Sequence, residues 1–88
     1  MSSERERMTL YNIGFGSYVT RERVIAVVGS DSAPMKRVIQ ESRERGALID
    51  ATFGRKTASV FVMDSGHVIL SALPPESFAE PEPDNASH

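Results

Sequence analysis

The chain has 88 residues, 40% of them hydrophobic and 25% charged, with a formal net charge of -2 and no cysteine. That length accommodates one domain with a small core, whereas a typical two-domain enzyme needs roughly 200 residues or more. The absence of cysteine removes disulfide frameworks, thiolate nucleophiles and Cys-ligated zinc or iron-sulfur sites, and the longest apolar run, Val24 to Val28, is far short of the roughly 20 residues of a membrane span.

Charge is unevenly distributed. Residues 1–7 balance Arg5 and Arg7 against Glu4 and Glu6, and have none of the character of a signal peptide. Residues 8–72 hold eight basic side chains against six acidic. Residues 73–88 carry Glu76, Glu80, Glu82 and Asp84 without any Lys or Arg, together with Pro74, Pro75, Pro81 and Pro83. This predicts a flexible extension over 1–7, a mildly basic folded domain over 8–72 and an acidic, Pro-rich disordered tail over 73–88, in a soluble cytoplasmic protein with no membrane partner.

Met8 to Asn12 reads as a short strand that stops at Gly14-Phe15-Gly16, where two glycines permit a tight reversal. A second strand runs from Tyr18 through the β-branched stretch Val24 to Val28. Ser32 is placed to cap a helix whose first turn tolerates Pro34, and Gly46 supplies its stop. Between them Met35, Val38, Ile39 and Ser42 recur at helical spacing on one side. Leu48 to Phe53 and Ala58 to Met63 read as strands joined by a hairpin tip, Gly54-Arg55-Lys56-Thr57, and Asp64-Ser65-Gly66 turns the chain into a last strand, Val68 to Ala72. The order β-β-α-β-β-β predicts an α+β fold with a small, mostly antiparallel sheet, the last three strands forming a meander.

Val24 to Val28 and Val60 to Met63 are apolar on both sides, so both faces of the sheet require cover, and one helix of roughly three turns shields only one. A domain of about 65 residues is also only marginally stable on its own core. These features predict a homo-oligomer, with the second face as its interface.

Asp64, Ser65 and His67 supply the residue types of a hydrolase triad, yet three groups within one turn cannot orient one another as nucleophile, base and orienter, and turn chemistry accounts for them. Two histidines, one of them the terminal His88, leave no metal-ligand cluster. Gly14-Phe15-Gly16 lacks the third glycine and the following helix of a dinucleotide fingerprint. Asp50 interrupts an apolar strand and suits an ion pair or hydrogen bond at an edge or interface. No cofactor, small-molecule ligand or catalytic group is indicated. Arg55 and Lys56 remain, two cations on a short support suited to a phosphate backbone; repetition of such a patch around an oligomer raises polyanion affinity without a large charge per subunit. The acidic tail would compete for the same patches. Tyr11, Tyr18, Phe15, Phe53 and Phe61 read as core rather than stacking platforms, which gives little support to an RNA-binding alternative. A self-assembling scaffold that recruits a protein is the other alternative.

Four ordered blocks carry a resemblance: Asn12-Ile13-Gly14-Phe15-Gly16, Ser32-Ala33-Pro34-Met35-Lys36-Arg37, Arg45-Gly46-Ala47-Leu48-Ile49-Asp50-Ala51-Thr52-Phe53-Gly54-Arg55-Lys56-Thr57, and Val62-Met63-Asp64-Ser65-Gly66-His67-Val68-Ile69-Leu70-Ser71-Ala72. Over residues 8–72 the sequence resembles the RemA family of bacterial extracellular matrix regulators. The resemblance implies a LytTR-like DNA-binding fold, ring-like homo-oligomers, double-stranded DNA as partner and transcriptional control of biofilm matrix genes. It puts DNA contact on Arg55, Lys56 and Arg23. Relatives tend to carry two arginines at the tip, and Lys56 departs from that pattern, keeping the charge but losing the flat fork that grips phosphate or guanine bidentately.

Overall fold

The computed structural model describes residues 9–79; the extension assigned from sequence to 1–7, and residues 80–88 of the tail assigned to 73–88, lie outside the described residues. The fold is α+β with one helix, as its sequence predicts, but the strands number six and form two sheets. Strands β1 (Leu10–Gly14) and β2 (Ser17–Thr20) make an antiparallel hairpin. The 3-10 turn Arg21–Arg23 interrupts what reads as one long second strand, and β3 (Val24–Gly29) follows. Helix α1 spans Ala33–Arg45, then come β4 (Leu48–Asp50), β5 (Ser59–Met63), β6 (Val68–Ser71) and a second 3-10 turn, Pro75–Phe78.

The helix follows local chemistry. The Ser32 side chain accepts a hydrogen bond from the Met35 N–H at 3.2 Å, and Gly46 takes the left-handed conformation at φ 75° that ends it. Met35, Val38 and Ile39 pack on Val60, Val68 and Leu70 of the sheet, and Ser42 is fully buried.

Strand pairing departs from the predicted meander. The second sheet has the order β3-β5-β6-β4, with β4 parallel to β6 and unpaired with β5. The segment carrying Arg55 and Lys56 is therefore a connection between unpaired strands, not a hairpin tip, and β4 ends at Asp50 rather than Phe53. Parallel β4 is reached because α1 returns the chain across the sheet, and β3 and β4 become its two outer strands.

The second face is also not left open. Ile13 and Val19 of the hairpin, and Phe78 beyond it, bury against Ala51, Phe61 and Ile69 on the side away from the helix. Tyr11, Phe61 and Phe78 form an aromatic cluster, with Phe61 and Phe78 edge-to-face at 4.8 Å between centroids and Tyr11 and Phe78 at 5.5 Å. The chain thus places its own hairpin and 3-10 turn on the second face, so the shortage of cover is smaller than a single helix implies, although Val24, Val27 and Met63 there are only partly buried. The folded region runs past Ala72: Pro75–Phe78 forms the 3-10 turn, and Phe78 is only 8% exposed. Buried serines tie these pieces together. The Ser71 hydroxyl donates to the Ile13 carbonyl at 3.1 Å and accepts from the Leu73 N–H at 3.1 Å, and the Ser59 hydroxyl donates to the Leu73 carbonyl. Without these partners, buried polar groups would be stranded.

Candidate nucleic-acid interface

The three cations singled out from sequence do not form one patch. Arg23 precedes Val24, which pairs with Met63 at the end of β5, whereas Arg55 and Lys56 come shortly before Ser59, which pairs with Gly29 at the start of β5. The five-residue strand β5 lies between them, a span of roughly 14 Å from four rises of about 3.4 Å. At its end, the Arg23 guanidinium contacts the Asp64 carboxylate at 3.2 Å, with the two side chains 69% and 44% exposed. That pairing takes Asp64 away from any triad, and Ser65 and His67 are left with a local hydrogen bond of 2.7 Å between Oγ and Nδ1.

The other end of the sheet carries more. Lys56 lines a cleft of about 400 Å³ with Gly29, Ser30, Asp31, Ala72 and Pro75, and makes no ion pair among the described residues. The Arg55 guanidinium likewise has no carboxylate partner there and lies 4.2 Å from the centroid of the Phe15 ring. Phe15 in turn stacks on Phe53 at 5.7 Å, with 21° between the planes.

The turns that hold these rings share one construction. In the first, the Asn12 side chain accepts from the Gly14 N–H at 2.9 Å, and Phe15 and Gly16 follow at φ 56° and 80°. In the second, the Asp50 carboxylate accepts from the Thr52 N–H at 2.9 Å and the Thr52 hydroxyl at 2.6 Å, and Phe53 and Gly54 follow at φ 54° and 83°. The Arg55 N–H then closes on the Thr52 carbonyl at 3.1 Å. Two successive positive φ values are the signature of a type I′ turn, whose first central position favours Asn, Asp or Gly. A phenylalanine there carries strain on the order of 1 kcal/mol or more. The Thr52 hydroxyl and then its amide hold the Asp50 carboxyl below the usual carboxylate range, outweighing the opposing effect of burial, and the charge of Arg43 adds a still smaller push in the same downward direction. This is the edge-strand hydrogen bond anticipated for Asp50.

The aromatic expectation fails at three positions: Phe15 is 43%, Tyr18 56% and Phe53 62% exposed, while Phe61 is buried and Tyr11 half-buried. Sequence reasoning overlooked Phe15 and Phe53 as surface groups; the signal available was a Phe-Gly pair two residues after an Asn-x or Asp-x in both loops. Among the described residues no His, Asp and Glu cluster suits a metal ion, and no helix is long and apolar enough to cross a membrane.

The small α+β domain thus carries its site on an exposed loop, with two cations that no carboxylate neutralises among the described residues. Comparison with known proteins gives its family: the chain belongs to the RemA-like family, extracellular matrix regulatory protein A-like, whose sequence profile matches residues 10–80. It is 57% identical over 86 residues to a provisionally named regulatory protein of Caldicellulosiruptor saccharolyticus, covering 93% of this chain and 85% of that one. Similar relatives with the same provisional name occur in Alkaliphilus oremlandii, 61% identical over 70 residues with 80% and 75% covered, and in Halothermothrix orenii, 63% identical over 70 residues with 80% and 83% covered.

Proposed function

We propose that this regulatory protein is a homo-oligomeric, ring-forming double-stranded DNA-binding transcriptional regulator of extracellular matrix genes, without a catalytic step. The observation that carries the reading is the connection from Ala51 to Ala58: it contains Arg55 and Lys56 and no acidic residue, and neither cation is neutralised by a carboxylate among the described residues. Free guanidinium and ammonium groups on a short braced loop suit phosphate contact. Arg23, at the far end of the strand pair, contributes from a second position, reached along one duplex or from a neighbouring copy.

Self-association rests on the sheet's outer strands. Ile25 on β3 is 67% exposed and Ile49 on β4 is 48% exposed, one on each edge. Complementary edges on opposite sides of one subunit suit head-to-tail closure into a ring.

The test is titration of a duplex at two salt concentrations alongside native mass measurement. Phosphate contacts make log affinity fall with log salt by about 0.9 per contact, and Arg55→Ala reduces that slope while leaving the assembly mass unchanged. A salt-independent or absent interaction overturns the DNA reading and favours a protein-recruiting scaffold; preference for single-stranded RNA over duplex DNA favours an RNA partner.

A further inference from the structure

We propose that Phe15 and Phe53 form an apolar contact for a bent or partly unstacked DNA duplex, adding a salt-independent component to the binding begun by Arg55 and Lys56. The inference rests on the DNA-binding reading above and deepens it. It begins from an anomaly that occurs twice. Both turns place a phenylalanine where the backbone favours Asn, Asp or Gly, at φ 56° and 54°. Neither ring is buried in return, since they remain 43% and 62% exposed. Strain that the fold itself does not recover marks a surface group held for an external contact.

The two rings arrive from different parts of the chain, one on the β1–β2 hairpin and the other after β4, and meet in a stack. Asn12 and Asp50 brace the turns by the same side-chain acceptor geometry. The result is an exposed aromatic pair stacked ring on ring. Its chemistry selects the occupant. Arg55 lies against Phe15, Lys56 is next in sequence, and neither the stretch from Asn12 to Thr20 nor that from Ala51 to Ser59 contains an acidic residue. Asp50 is engaged by Thr52 in the second turn and Asp31 lines the cleft beside Lys56, so the wedge is flanked by the two cations on one side and complements a polyanion that also offers flat apolar surface. Duplex DNA does so where a base step opens, and apolar side chains inserted at such steps bend it.

The experiment uses the full-length chain with Phe15→Asn, Phe53→Asn and the double substitution. Asn suits the left-handed turn position, so each variant should unfold at an equal or higher temperature than the wild type. Base contact with an aromatic ring predicts that duplex affinity falls at least about fivefold at every salt concentration, with the slope of log affinity against log salt unchanged. Arg55→Ala gives the opposite pattern, a shallower slope. The loss should be larger on duplexes with flexible TA or CA steps than on stiff A-tracts. Wild-type affinity in the folded variants overturns the inference and leaves the DNA reading intact. A reduced assembly mass with unchanged DNA affinity per subunit also overturns it, because the stack would then be a contact between copies. Failure of the wild-type chain to bind duplex DNA removes the DNA reading, and this inference with it.

Discussion

The Arg55 guanidinium rests 4.2 Å from the centroid of Phe15, linking the β4–β5 connection to the turn of the N-terminal hairpin. This contact restrains a long side chain that is otherwise unpaired among the described residues, so its planar fork is oriented before any ligand arrives. Arg55→Lys keeps the charge and loses the plane. Its salt dependence of duplex binding should match the wild type while affinity falls severalfold. Lys56→Arg should act in the other direction by adding a second fork. Fluorescence anisotropy at several salt concentrations checks both.

The Arg23 and Asp64 pair is exposed, and such pairs contribute about 0 to 1 kcal/mol. Asp64→Asn should therefore change stability by less than about 1 kcal/mol. It releases a cation and removes an anion at the same end of the sheet, so duplex affinity should rise, by an amount that shrinks as salt is added. A fall in affinity would show that Asp64 positions Arg23 rather than competing for it.

Phe78 belongs to the core, packed edge-to-face on Phe61. Phe78→Ala should cost about 3 to 5 kcal/mol in urea denaturation, most of the stability of a domain this size. A chain truncated after Ala72 should lose cooperative unfolding, while one truncated after Ala79 should keep it. The second truncation removes Glu80, Glu82 and Asp84 and should raise duplex affinity if those carboxylates compete for the cations.

Ser32 satisfies an open amide at the start of α1. Ser32→Ala should lower stability by about 1 kcal/mol, and Ser32→Asp should restore it. Thermal melts followed by circular dichroism measure the difference.

Asp50 makes stability depend on pH. Its carboxyl is held below its ordinary value by the Thr52 hydroxyl first and the Thr52 amide second. A group depressed on folding contributes above its unfolded value, near 3.9, and loses that contribution as pH falls through the lower folded value. The stability difference between wild type and Asp50→Asn should be constant from neutral pH down to about 5 and close below about 4. Thr52→Ala should remove most of that pH dependence.

Local features of this fold were legible and distant ones were not. Ser32, Pro34 and Gly46 delimit α1 because caps act within a turn, and Met35, Val38 and Ile39 mark its buried side through spacing alone. The pairing of β4 with β6 depends on where α1 delivers the chain, and Gly54 between two apolar runs looks the same in a hairpin as in an open connection. Phe78 was hidden by its setting, since prolines and carboxylates around it have the composition of an unfolded segment while a single ring makes the decisive contact. Arg55 and Lys56 were legible as a basic pair. The ring beneath Arg55 was not, because a phenylalanine in left-handed backbone violates the preference from which turns are read.

Tyr11 and Phe78 touch although 67 positions separate them along the chain, and their contact closes the face opposite the helix. A nascent polypeptide cannot make that closure until Phe78 has cleared the ribosomal tunnel. Until then that face has only the Ile13 and Val19 hairpin over it, and the apolar surface that Phe78 would cover is open to association with other incomplete copies.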